Sequence, residues 1–221
     1  MERLLRKEPG TMNYELDTSL YLVTDQNAGE GRSFEDVVEK AIRGGCTLVQ
    51  LREKTADSGD FYKRAVRIKE LTDFYHIPLI INDRVDIMLA VGAAGVHVGQ
   101  SDIPASVVRQ IIGPDKILGV SAGTIEEAMR AEDEGADYLG VGAIFPTATK
   151  KDADRVSLDT LRKICSSVHI PVVAIGGINE KDISAFNGTG ISGVAVVSAL
   201  MQAKDPEGAA RKLKEDTYGI L

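Results

Sequence analysis

Two carboxylates, Asp83 and Asp102, each follow an apolar run that has the length of a β-strand. The run Leu79–Ile81 halts at Asn82-Asp83. A short helical pattern (Val85, Met88, Leu89, Val91) then breaks at Gly92 and Gly95, and Gly95–Val98 ends in Gly99-Gln100-Ser101-Asp102. A strand, a helix and a second strand make a right-handed parallel crossover, so both strands finish at the same end of the sheet. Neighbouring parallel strands lie roughly 4.8 Å apart, which lets the two carboxylates face one site. Hard oxygen ligands with no His or Cys beside them suit Mg²⁺, which keeps waters and takes further ligands from a substrate phosphate. Singly, either Asp reads as the cap of the helix behind it. As a pair at matching strand ends they read as a metal site.

Gln50, Arg52 and Lys54 are spaced by two, so an extended chain points all three to one face. Two cations and an amide cannot be buried in a packed interior without partners. At a sheet end they form an anion clamp, with Arg gripping a phosphate through two hydrogen bonds and Lys acting as a point charge. Further on, Ile175-Gly-Gly-Ile178 and Val196-Val-Ser-Ala199 follow the last two apolar runs, where backbone N–H groups favour a phosphate. Between them and the clamp lies a fourteen-residue loop, Ala143 to Val156, long enough to suggest function. It carries Phe145-Pro-Thr-Ala-Thr-Lys-Lys151, in which two hydroxyls stand beside a lysine pair. The residues thus imply a metal-bound diphosphate near Asp83 and Asp102, and a separate monophosphate near the last two turns. No Ser-His-Asp arrangement or metal-binding His spacing is visible. His97, inside a strand pattern, reads as a hydrogen-bonded structural histidine.

The elements that must position these groups alternate regularly. Strand patterns run over Leu20–Thr24, Thr47–Leu51 (continuing into Arg52-Glu53-Lys54), Leu79–Ile81, Gly95–Val98, Lys116–Val120, Tyr138–Gly142, Pro171–Ile175 and Gly193–Val197. Helical spacing separates them. Ser33 with Asp36, and Thr124 with Glu127, read as capping boxes. A helix begins at about Asp60, Pro104 sits in a first turn ahead of Val107, Val108, Ile111 and Ile112, and Ser157, Asn179 and Asp205-Pro206 open the later ones. Eight strands and eight helices predict a single α/β domain, a (β/α)₈ barrel over residues 20–221, with its site at the C-terminal strand ends. A doubly wound sheet is the alternative, but its G-x-G-x-x-G fingerprint is missing. Residues 1–19 are charged and without periodicity, and read as an N-terminal extension.

With 221 residues and 43% hydrophobic content the chain can bury the core of such a barrel. A net charge of −7 argues against nucleic acid or an anionic membrane as main partner. No apolar run has membrane-span or signal-peptide length. Two cysteines, Cys46 and Cys165, without C-x-x-C spacing suit reduced thiols in the cytoplasm. A homo-oligomer is left open.

Taken together, Gln50-Leu-Arg-Glu-Lys54, Asn82-Asp-Arg-Val-Asp86, Gly95-Val-His-Val-Gly-Gln-Ser-Asp102, Gly119-Val-Ser121, Phe145-Pro-Thr-Ala-Thr-Lys150, Ile175-Gly-Gly-Ile178 and Val197-Ser198 resemble the thiamine phosphate synthase family. The seven motifs stand in that family's order between about Tyr21 and Lys212. The resemblance implies that Gln50, Leu51, Arg52, Glu53, Lys54, Asn82, Ser121 and Lys150 bind an aminopyrimidine diphosphate, and that Asp83 and Asp102 hold Mg²⁺. Thr147, Ala148, Thr149, Gly177, Val197 and Ser198 would bind a thiazole phosphate. Arg52, Lys54, Ser121 and Lys150 would act in the alkyl transfer that joins the rings and releases pyrophosphate. A thiazole tautomerase-like relative and a non-catalytic precursor-binding barrel are the competing expectations. One departure is Gly123, where family members commonly carry histidine. It removes any contact assigned to that side chain, and a glycine there reads as holding a backbone angle that histidine would strain to adopt.

Overall fold

In a computed structural model describing residues 16–25, 32–147 and 155–221, eight parallel strands close into a barrel in sequence order. They are β1 (Leu20–Val23), β2 (Leu48–Leu51), β3 (Leu79–Asn82), β4 (Gly95–Val98), β5 (Ile117–Ala122), β6 (Tyr138–Val141), β7 (Val172–Ile175) and β8 (Gly193–Val196). The seam pairs β8 with β1, Leu20 lying opposite Val194. Between the strands run α1 (Phe34–Arg43), α2 (Ser58–Phe74), α3 (Val85–Val91), α4 (Ala105–Ile112), α5 (Ile125–Asp133) and α6 (Leu158–Ser167). A short α7 (Ser198–Met201) and a longer α8 (Pro206–Tyr218) follow β8. The barrel is the predicted one and the doubly wound alternative is ruled out.

The strands read as continuous apolar runs because both of their faces are buried. Alternate residues such as Leu22, Leu51, Leu79, Ile81 and Val96 face outward under the helices. Tyr21, Val23, Leu48, Ile80, Tyr138, Val173 and Ala195 face inward and fill the barrel as a second cluster. The seventh crossover carries a 3-10 helix, Glu180–Phe186, in place of an α-helix. Its two buried anchors, Ile183 and Phe186, are three residues apart, the spacing that stacks in a three-residue turn.

Several local expectations change. Helix α2 starts at Ser58, because Asp57 caps it through the Asp60 N–H at 2.8 Å. Leu89, Val107 and Ile111 are exposed, since a short barrel helix covers its strands with a narrow stripe: Ile87 and Met88 in α3, and Ala105, Val108 and Ile112 in α4. Ser33 and Thr124 cap as predicted, yet neither box is reciprocal. Asp36 turns to Lys40, and Glu127 accepts from Gly123 N at 2.7 Å. Residues 16–19, predicted to belong to the extension, tie into the barrel. Leu16 packs on the inner cluster, Thr18 Oγ1 donates to the Ser192 carbonyl, and Asp17 pairs with Lys214. The rest of that extension lies outside the described residues.

Candidate active site

The C-terminal ends of the strands surround a cavity of about 640 Å³. Strand β2 ends at Leu51, but its alternation carries on, and Gln50, Arg52 and Lys54 all line this cavity. Leu51 and Glu53, between them, turn away. Leu51 lies in the outer core, and the buried Glu53 carboxylate pairs with Arg64 of α2, whose guanidinium sits 5.0 Å from the Phe34 ring centroid. Neither side chain reaches the cavity, so any contact they give a ligand runs through the backbone. The backbone N–H of Arg52 donates to Thr24 Oγ1 at 3.0 Å, fixing the clamp to the end of β1.

Asn82 and Asp83 leave β3 into the same space. Asn82 is buried, and its Nδ2 finds no hydrogen-bond partner among the described residues. A buried donor without an acceptor costs about 1–3 kcal/mol, and a substrate acceptor would recover that cost. Asp83 has φ of 61°, a left-handed conformation that Asp tolerates better than most residues. Its N–H donates to the His97 carbonyl at 2.8 Å, and its Oδ2 lies 2.6 Å from Lys54 Nζ.

Asp102 stands close enough to Asp83 for the two carboxyls to interact. Burial raises the Asp102 pKa from its ordinary value, a donated hydrogen bond from Gly99 N opposes this, and the Asp83 charge adds to the rise. Neither aspartate caps a helix: Arg84 and Pro104 occupy those positions without side-chain caps. Two repelling oxygen donors fit a divalent hard cation. Among the described residues no group of three or more His, Cys, Asp or Glu side chains could hold a metal, so waters and substrate oxygens would complete the shell.

Beneath the clamp runs a chain of polar side chains that the strand pattern concealed. Gln50 Nε2 donates to Tyr21 Oη at 2.7 Å, and Tyr21 Oη meets Tyr138 Oη at 2.7 Å. Tyr138 Oη meets His97 Nδ1 at 3.0 Å, and His97 Nε2 meets Ser121 Oγ at 2.9 Å. His97 is thus hydrogen-bonded as predicted, but it also lines the cavity. Burial drives both tyrosine pKa values upward, so both phenols keep their protons. Space for this chain comes from Gly119 and Gly140: a Cβ on Gly119 would overlap Tyr138 and His97, and one on Gly140 would sit 3.0 Å from His97 Cε1. The sequence signal was faint, a tyrosine and a histidine at inward positions of apolar strands facing glycines.

Opposite the clamp, Thr147, Gly176, Gly177, Val197 and Ser198 line the cavity. Gly176 and Gly177 have φ of 101° and 67° and press against the backbone after β6, a turn closed to side chains. Ala148, Thr149 and Lys150 lie outside the described residues. Arg155, at the far end of the same loop, lines the cavity and was not anticipated. Gln100 was passed over as well. It donates to the Ser121 carbonyl and accepts from Arg130, each at 2.6 Å, tying the Asp102 loop to β5. Gly123 does not have positive φ, and a Cβ there would meet Glu127 Oε2 at an ordinary 3.6 Å. The expected backbone strain is therefore absent.

The thiol pKa values of Cys46 and Cys165 are raised by burial, to about 12 and about 11, which leaves neither as a nucleophile. Among the described residues no helix is long and apolar enough to cross a membrane.

The family model described as thiamine monophosphate synthase matches residues 20–200. A thiamine-phosphate synthase of Clostridium beijerinckii is 60% identical over 209 residues, 95% of this chain and 100% of the relative. Another, from Ruminiclostridium cellulolyticum, is 60% identical over 92% of this chain and 97% of its own length. The solved thiamine phosphate pyrophosphorylase of Pyrococcus furiosus superposes with a TM-score of 0.85 at 40% identity, covering 93% of this chain and 98% of that one. With this barrel, this cavity and these relatives, the chain belongs to the thiamine monophosphate synthase family, transferases of thiamine biosynthesis.

Proposed function

We propose that the cavity joins an aminopyrimidine carrying a diphosphate to a thiazole phosphate, with Mg²⁺ held by Asp83 and Asp102. The observation that carries this reading is the convergence of Gln50, Arg52, Lys54, Asn82, Asp83 and Asp102 on one wall of the cavity, facing Thr147, Gly177 and Ser198 on the other. Bound at the aspartates, the cation supplies charge neutralisation to the diphosphate oxygens.

The chain's own groups do the rest. Arg52 and Lys54 grip the diphosphate, and the orphaned Asn82 Nδ2 donates to the same substrate. The bond between the pyrimidine methylene carbon and the diphosphate oxygen breaks, its electron pair leaving on oxygen. Arg52, Lys54 and Lys150 stabilise that growing negative charge, the largest kind of contribution an enclosed site can make. The Gly176-Gly177 turn, Val197 and Ser198, with Thr147 to Thr149, hold the thiazole phosphate so that the ring nitrogen faces the carbon. That nitrogen's lone pair forms the new carbon–nitrogen bond, and no general base is needed. Leu51 and Glu53 serve this site through backbone and packing. The two free cysteines fit a reducing compartment such as the cytoplasm.

The test is release of pyrophosphate, measured with each ring alone and with both, in Mg²⁺ and in excess chelator. Release should require both rings and the metal. In Asp102→Ala, turnover should fall at least about tenfold, or roughly 1.4 kcal/mol of barrier, with unchanged circular dichroism. Binding of both rings without pyrophosphate release would make the protein a sensor or store. Full release in chelator would remove the metal from the reading.

A further inference from the structure

We infer that the buried chain Gln50–Tyr21–Tyr138–His97–Ser121 is a one-way hydrogen-bond relay that fixes His97 as its Nε2–H tautomer and leaves the Ser121 hydroxyl as a donor into the cavity. Each link follows from counting protons. Gln50 presents Nε2, which can only donate, to Tyr21 Oη. Tyr21 is buried, so its single proton needs an acceptor, and among the described residues Tyr138 Oη at 2.7 Å is the one in reach. Tyr138, having accepted, donates its own proton to His97 Nδ1 at 3.0 Å. A neutral imidazole that accepts at Nδ1 carries its proton on Nε2, which donates to Ser121 Oγ at 2.9 Å. Ser121 lines the cavity, so once its oxygen has accepted from His97 its own hydrogen is left to donate to an acceptor on a ligand bound there.

Reversing the relay would give Tyr21 Oη two incoming donors and leave its own proton buried without an acceptor, at a cost of about 1–3 kcal/mol. The direction is thus set by the Gln50 amide, two side chains away from the histidine. Tyr21 and Tyr138 are positioning residues. They carry no charge and take no part in bond changes, but they decide whether Ser121 gives or takes a hydrogen bond. A site of this polarity selects a pyrimidine substrate that offers an acceptor atom, such as an unprotonated ring nitrogen, and disfavours an analogue with an N–H there. The substrate part of this inference rests on the reaction proposed above. The relay itself does not.

The experiment is nitrogen NMR on protein labelled with ¹⁵N-histidine, the His97 signals being assigned by their loss in His97→Gln. The unmodified chain should show an acceptor-type Nδ1 and a protonated Nε2. Gln50→Glu replaces the donor facing Tyr21 by an acceptor, so the relay should invert and His97 should become the Nδ1–H tautomer. Tyr138→Phe, which keeps the ring, should yield a mixture of tautomers. It should also lower kcat/KM for the pyrimidine diphosphate about tenfold while leaving the thiazole phosphate KM within twofold. An Nδ1–H tautomer in the unmodified chain, or no change in Gln50→Glu, would overturn the relay. If Tyr138→Phe does not fold, the first two spectra still decide. Correct tautomers in a protein that releases no pyrophosphate would count against the proposed reaction and leave the relay standing.

Discussion

Replacing Gly119 by alanine puts a methyl group where the inner cluster has no room. The new Cβ would overlap both the Tyr138 ring and His97 Nδ1, well inside the roughly 3.5 Å at which non-bonded carbon atoms rest. Neither neighbour is a flexible chain end. Tyr138 is completely buried and hydrogen-bonded at its tip, and His97 is held at both ring nitrogens. Something must move, and overpacking of this kind costs about 1–3 kcal/mol. If the Tyr138–His97 bond breaks, a buried polar group loses its partner for about 1–3 kcal/mol more. The total of about 2–6 kcal/mol corresponds to a melting point lower by roughly 5–20 °C in a chain of this size. Gly123→Ala is the matched control. Its Cβ would find Glu127 Oε2 at 3.6 Å and Val156 Cγ2 at 3.9 Å, so its stability should change by no more than about 0.5 kcal/mol. Differential scanning calorimetry of both variants beside the parent decides it. Melting points of the two variants within about 2 °C of each other would refute the claim that Gly119 is there to admit the relay.

Arg64→Ala should leave the Glu53 carboxylate buried without its partner and destabilise the protein by about 3 kcal/mol, read as a lower urea midpoint. An unchanged midpoint would mean that Glu53 is not held by that pair. Lys150→Ala should lower turnover with little change in thiazole phosphate affinity, whereas Ser198→Ala should raise the thiazole phosphate KM. Steady-state kinetics giving the opposite pattern would exchange the two subsites.

The clamp was legible in the sequence because period-two alternation holds even past the last ladder hydrogen bond, and Gln50, Arg52 and Lys54 do share a face. The same rule puts the side chains of Leu51 and Glu53 on the other face, so what the family resemblance assigns to these two residues can reach a ligand only through their backbone. Asp83 and Asp102 were legible as a pair because a single crossover fixes where both strands end. Tyr21 and Tyr138 were not. They meet across 117 residues of chain, and only closure of the barrel brings their hydroxyls together. Val107 and Ile111 misled because helical spacing reports that a face is apolar, while the width of the stripe that a barrel covers depends on helix length and tilt.

The seam between β1 and β8 also bears on how the molecule is made. Leu20 pairs with Val194, Thr18 reaches Ser192, and Lys214 of the last helix reaches back to Asp17. These contacts join the two ends of the sheet, so they form only after almost the whole chain exists. Contacts of such long sequence separation are slow to form, because loop closure must precede any gain from them. During synthesis, β2 to β5 with their crossovers can assemble from neighbouring segments, which already gathers the clamp and both aspartates. The wall carrying Val197 and Ser198 must wait for the seam, and until it closes two strand edges stand open to other chains. Truncation within α8 should therefore show first as aggregation during expression, ahead of any loss of the folded protein's chemistry.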